Sequence, residues 1–122
     1  GRIGAIEVFL SGPGLENYYR YKTNSKKTSK EIVTLINENN SQALEVMDMY
    51  FERIARSFST FVNILDPDII VCGGGMSEID NIYNEIPKRI IPYIASNFFL
   101  TPIVKAKHGS SSGVRGAAHL WN

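Results

Sequence analysis

The chain has 122 residues and a formal net charge of +1, with 43% hydrophobic and 20% charged residues, enough apolar mass for one ordinary domain with a real core. That balance excludes a disordered chain and a global field for nucleic acid, and the longest apolar runs fall far short of the roughly 20 residues of a membrane span. No secretory signal opens the chain, and the single cysteine, Cys72, rules out an intramolecular disulfide and points to a reducing compartment, so the cytoplasm is expected.

In chain order, GRIGAIEVFLSGPG predicts a helical stretch around Ala5 to Leu10, closed by the breakers Gly12, Pro13 and Gly14. A short helix is expected from Leu15 to Tyr21. Between Tyr18 and Lys30 there is no acidic residue, while Arg20, Lys22, Lys26, Lys27 and Lys30 are interleaved with tyrosines. Such a stretch suits a nucleic-acid patch, but its charges lack helical register, so a solvated linker is the preferred reading. Thr28 or Ser29 caps a helix through Ile32, Leu35 and Ile36, with Glu31 near its positive end.

The longest predicted element runs from about Ser41 to Leu65, where Leu44, Met47, Phe51, Ile54, Phe58, Phe61 and Leu65 recur in steps of three and four. Such a stripe suits a coiled coil. Val46, Tyr50, Ala55, Val62 and Ile64 widen it beyond a two-helix seam, which favours a buried central helix.

The most informative stretch, NILDPDIIVCGGGMS, then spells a helix end, a strand and a glycine loop in succession. Asp66 and Pro67 stop the helix, and Ile69 to Cys72 form an unbroken apolar run expected to be covered on both faces. Gly73, Gly74 and Gly75 carry no Cβ, so a flat or anionic ligand can approach their backbone; Ser77 starts the next helix. A turn that needs glycine only for tight packing fits the same spacing.

Ile79 to Phe98 is helical in character, broken by Pro87 and Pro92, and Thr101 to Lys107 alternates as a strand. The loop HGSSSG leads to a last helix at Val114 to Trp121. The fold class is therefore α/β, helix-rich with few strands, each strand followed by a small-residue turn into a helix.

Three catalytic fingerprints fail at named positions. Gly109, Ser111 and Gly113 satisfy G-x-S-x-G, yet beyond Ser111 there is His119 and no acid, so the serine-hydrolase order is broken. Gly73 and Gly75 fit the start of G-x-G-x-x-G, but Glu78 takes the place of the third glycine, where its carboxylate would stand near a pyrophosphate. No glycine is followed by Lys and then Ser or Thr, so there is no Walker A loop. His108 and His119 lack the spacing of helical metal ligands.

Taken together, GRIGAIE, NILDPDIIVCGGGMS and KAKHGSSSGVRGAA resemble the C-terminal part of ROK sugar kinases, and within that family the bacterial fructokinase or mannokinase branch. The resemblance covers essentially the whole chain. It implies part of an actin-like, ribonuclease-H-like ATPase lobe, one segment spanning residues 1–122, with ATP, Mg and a hexose bound by the full-length protein. It places Gly73, Gly74 and Gly75 against the adenosine and phosphates of ATP, and Glu7 on hydroxyls of the sugar, where a carboxylate forms charge-assisted hydrogen bonds.

The family's zinc motif, C-x-C-G-x-x-G-C-x-E, is matched at Gly1, Gly4 and Glu7, but Ala5 stands where its last cysteine belongs, so structural zinc is doubtful. The family's general-base aspartate, in a D-N-x-A motif, lies upstream of this segment, which supplies no catalytic residue and is expected to be inert alone. A ROK transcriptional repressor is the alternative parent, and a pure dimerisation module built on the Leu44 to Leu65 stripe is a third reading. The chain is expected to touch neither membrane nor nucleic acid and to self-associate through bared apolar surface.

Overall fold

The breakers near the start of the chain close one helix, as expected, and also begin the next, three residues earlier than Leu15. In the computed structural model, which describes residues 6–108, 111, 115, 117 and 118, a short helix α1 at Glu7–Leu10 is followed by α2 at Gly12–Thr23. Ser11 caps α2 by accepting a hydrogen bond from the Gly14 N–H at 3.2 Å. Pro13 is tolerated because N–H groups of a first turn have no helical partner to lose. Gly14 is required by the approach of α1, since a Cβ there would stand 2.5 Å from the Val8 carbonyl oxygen. Asn24 ends α2 in the left-handed region at φ 54°.

Helix α3, Ser29–Asn37, starts at a full capping box: the Glu31 N–H donates to Thr28 Oγ1, and the Thr28 N–H donates to Glu31 Oε2 at 2.8 Å. Helix α4 spans Ser41–Leu65, the extent its periodicity predicts. Internal contacts divide the chain into two units, Gly1–Ser57 and Phe58–Asn122, so α4 contributes its first part to one and its last turns to the other.

The first unit buries Leu15, Tyr18 and Tyr19 of α2, Ile32 of α3, and Ala43, Val46, Met47, Tyr50, Phe51, Ile54 and Ala55 of α4. Of the residues expected to widen the apolar stripe, Val46, Tyr50 and Ala55 are at its centre, whereas Val62 is only partly covered and Ile64 is exposed, as are Leu44, Phe61 and Leu65 of the stripe itself. The Tyr50 hydroxyl donates to the Leu10 carbonyl at 2.6 Å, tying α4 to the end of α1. The basic stretch is divided between these elements: Lys22 pairs with Glu45 at 3.1 Å and Lys27 with Glu31 at 3.6 Å, while Tyr18 and Tyr19 belong to the core.

In the second unit, Asp66 leaves α4 at φ 41° ahead of Pro67, its N–H still donating to the Val62 carbonyl. Strand β1, Ile70–Cys72, pairs in parallel with β2, Ile103–Lys105, in the register Ile70 to Ile103, Val71 to Val104 and Cys72 to Lys105. Between them lie a 3-10 turn at Gly75–Glu78, helix α5 at Asn81–Arg89 and a second 3-10 turn at Ile91–Tyr93. Pro87 stands in the last turn of α5 and Pro92 near the start of the second 3-10 turn, so both prolines mark the expected breaks.

Ile82, Ile86, Ile90 and Ile103 are buried, and α5 packs on β2. The expectation that β1 is covered on both faces is corrected: Ile69 and Val71 are exposed, and only Ile70 and Cys72 are partly covered. Among the described residues the sheet has two strands, and these leave one face of β1 open. The expected last helix, Val114 to Trp121, lies for the most part outside the described residues, as do Gly109 and Gly113. No helix among the described residues is long and apolar enough to cross a membrane.

Candidate functional site

The glycine loop follows β1 without an intervening residue. Gly74 has φ 82° and ψ 177°, a conformation essentially restricted to glycine. Its carbonyl accepts two hydrogen bonds from Ser77, from the N–H at 3.2 Å and from Oγ at 2.7 Å. Ser77 is buried, and its own carbonyl accepts a hydrogen bond from the Tyr83 hydroxyl of α5 at 2.7 Å. The serine expected to start a helix is therefore an internal brace, and α5 begins only at Asn81. These bonds hold the loop's backbone in one shape from beneath, at little cost in later ordering.

The outer side of the loop is bare. All three glycines are exposed; a Cβ on Gly75 would meet nothing within 4 Å, and one on Gly73 only the Ala106 methyl at 3.9 Å, an ordinary contact. Packing within the chain therefore explains Gly74, through its φ, but accounts for neither Gly73 nor Gly75. Within the described residues, then, packing requires only Gly74 to be glycine, and the space beside Gly73 and Gly75 is open.

The electrostatics of the loop come from a pair that the local sequence does not reveal. Lys105, the last residue of β2, places its ammonium on the carboxylate of Glu78, the last residue of the 3-10 turn. The hydrogen bond to Glu78 raises the Lys105 pKa above the ordinary lysine value, so the amine stays charged. Glu78, which breaks the dinucleotide fingerprint, is thereby held in an ion pair. Burial pushes the Cys72 thiol up, keeping it protonated and unreactive at neutral pH. Burial also raises the Tyr83 hydroxyl, which keeps it a donor to Ser77.

Glu7, the expected sugar ligand, opens α1 and belongs to the first unit, whereas Gly73, Gly74 and Gly75 belong to the second. Beyond Glu7, the first unit holds a cavity of about 230 Å³ lined by Val8, Phe9, Gly14, Asn17, Tyr18, Tyr21 and Arg53. The Arg53 guanidinium lies over the Tyr18 ring, 4.1 Å from its centroid. Gly1, Gly4 and Ala5 of the zinc motif lie outside the described residues. Ser111, considered as a nucleophile, donates its hydroxyl to the His108 carbonyl at 2.8 Å, and His119 lies outside the described residues.

A sequence profile described as ROK family matches residues 1–122. The N-acetyl-D-glucosamine kinase of Vibrio atlanticus (strain LGP32) is 42% identical over 120 residues, covering 98% of this chain and 40% of that protein. The N-acetyl-D-glucosamine kinase of Vibrio cholerae serotype O1 is 41% identical with the same coverage. Among solved structures, a ROK family glucokinase from Streptomyces griseus, crystallised with glucose and AMPPNP, superimposes with a TM-score of 0.84 at 19% identity, over 98% of this chain and 45% of that one. The chain thus spans about 40% of the length of these curated relatives and has part of the actin-like fold of ROK sugar kinases.

Proposed function

The chain belongs to the ROK family, and on that premise we propose that it is the nucleotide-side segment of an ATP-dependent hexose kinase. The observation that carries this reading is the braced glycine loop whose outer surface is bare at Gly73 and Gly75. MgATP is the phosphate donor. The adenosine and phosphates lie against Gly73, Gly74 and Gly75, where missing side chains allow close approach and the fixed backbone is already ordered. Glu7 accepts hydrogen bonds from sugar hydroxyls, a role for which a carboxylate is suited because each oxygen can accept a charge-assisted hydrogen bond from a hydroxyl. The segment contributes binding and positioning; the general base comes from elsewhere in the protein, so the segment alone is inert.

The sugar is N-acetyl-D-glucosamine. Support comes from the two curated relatives at 42% and 41% identity, both named for that sugar. The fructokinase or mannokinase branch expected from the motifs has no comparable support. Its motifs, the glycines and Glu7, are those that serve ATP and a generic hydroxyl, and these do not separate one hexose from another. The repressor reading is favoured by no observation. The lone cysteine and the use of ATP suit the cytoplasm. Exposed Phe61, Ile64 and Leu65 at the end of α4 offer apolar surface for self-association.

The test is to express the whole reading frame that encodes this segment and to follow ADP release with N-acetyl-D-glucosamine, glucose, fructose and mannose. The expected order of kcat/KM has N-acetyl-D-glucosamine first by at least about tenfold, the discrimination that a few hydrogen bonds to the acetamido group supply. Preference for fructose or mannose would return the protein to the other branch. Absence of phosphorylation of any hexose would refute the kinase reading.

A further inference from the structure

Lys105 and Glu78 stand 27 residues apart, at the end of β2 and at the end of the 3-10 turn that follows β1, and the parallel pairing of β1 and β2 brings these ends together. The register sets Lys105 opposite Cys72, the residue immediately before the glycine loop, so the lysine stem leaves the sheet at the same end as the loop. Glu78 is the fourth residue of the 3-10 turn that begins at Gly75. Its side chain is half exposed. A free carboxylate so close to the bare glycines would repel a polyphosphate, whereas an ammonium bonded to it cancels that charge at the place where the ligand approaches. The ammonium is itself partly exposed, and it has three donors, of which Glu78 engages one.

We propose that Lys105 is a positioning residue for nucleotide binding: it neutralises and orients Glu78 so that an anionic phosphate chain can lie against Gly73, Gly74 and Gly75. The proposal rests on the reading of that loop as a nucleotide site. It differs from an ordinary surface ion pair in one measurable respect. A pair that merely adds stability affects every ligand alike, whereas a charge-screening pair affects ligands in proportion to their negative charge.

The experiment uses the intact protein that carries this chain and measures calorimetric affinities for ATP, ADP and adenosine in wild type, Lys105→Met, and the double variant Glu78→Gln with Lys105→Met. Lys105→Met weakens ATP by about five-fold at low ionic strength and ADP by less, while adenosine stays within about two-fold, as expected for one uncompensated charge acting through solvent. The double variant, which removes the offending carboxylate as well, restores ATP to within about two-fold of wild type, and added salt shrinks the Lys105→Met defect. Equal weakening of adenosine and ATP, an unchanged ATP affinity in Lys105→Met, or failure of the double variant to recover would each overturn the proposal. Wild-type protein that binds neither ATP nor adenosine overturns the nucleotide reading of the loop and the proposal with it, an outcome distinct from the other three.

Discussion

Replacing Gly75 by alanine or valine isolates ligand approach from folding. Gly75 does not have a positive φ, and an added Cβ meets no atom within 4 Å, so neither strain nor a clash opposes the change in the free protein. Alanine also restricts the unfolded chain more than glycine does, so Gly75→Ala leaves stability unchanged or raises it by up to about 1 kcal/mol. If a nucleotide lies against the loop as proposed, it reverses the situation, because the new methyl would occupy the space the ligand uses. Overpacking of a fitted contact costs about 1–3 kcal/mol, which corresponds to a rise of about five- to 150-fold in KM for ATP, larger for valine than for alanine.

The assay is steady-state kinetics on the intact protein that carries this chain, with ATP and sugar varied separately, paired with urea denaturation of each variant. The expected pattern is a urea midpoint unchanged or slightly raised, a raised KM for ATP and an unchanged KM for sugar. Gly74→Ala is the contrasting control: its φ of 82° and ψ of 177° impose about 1–3 kcal/mol of strain on any other residue, so it lowers the urea midpoint as well. If Gly75→Val leaves the KM for ATP alone, or moves both KM values equally, the loop is a packing turn and the argument from its bare outer face is wrong.

Three further outcomes follow from the packing and the charges. Ile86→Ala, at a fully buried site on α5, costs about 2–5 kcal/mol by denaturant titration, whereas Val71→Ala on the open face of β1 stays within about 0.5 kcal/mol; similar losses at both would mean that β1 is covered after all. Tyr50→Phe removes the hydrogen bond to the Leu10 carbonyl and costs about 0.5–1.5 kcal/mol, with the loss of order concentrated in hydrogen-exchange protection at α1 and the start of α2. Stability rises with pH through the glutamate range, because Glu31, bonded to the Thr28 N–H and hydroxyl, and Glu85, paired with Lys88 and Arg89, have folded pKa values below their unfolded ones. In that window the unfolded chain binds more protons, so the contribution is complete above the ordinary glutamate value and is lost as pH falls through the lowered folded values; Glu31→Gln flattens the urea midpoint measured between about pH 3 and pH 6.

Legibility differed sharply between elements. Helix α4 was readable to its ends, since its apolar recurrence and the Asp66–Pro67 stop are both local signals. The start of α2 is not legible locally, because Gly12, Pro13 and Gly14 are breakers inside a helix but tolerated in its first turn, and only the Ser11 cap and the nearness of α1 decide between these. The position of the glycine loop was legible, and its purpose was not. Spacing alone leaves packing and ligand approach equally open, and the open space beside Gly73 and Gly75 comes from the fold. Glu78 was seen as a misfit in a fingerprint, without its partner.

What the amino-acid order determined by itself was the set of short-range events: a capping box at Thr28 and Glu31, a long amphipathic helix, a strand running into three glycines, and the motifs that the ROK family shares. Each depends on residues within about one or two turns of one another, where spacing and chemistry are enough. The tertiary structure alone decided which side of β1 is open, that Ser77 and Tyr83 brace the loop from below, and that Lys105 reaches Glu78. The open side of β1 and the Lys105–Glu78 pair depend on a parallel pairing of strands far apart in sequence, and a register between distant segments is set by the sum of many weak contacts. The Ser77–Tyr83 brace is local in sequence but depends on how the 3-10 turn packs against α5.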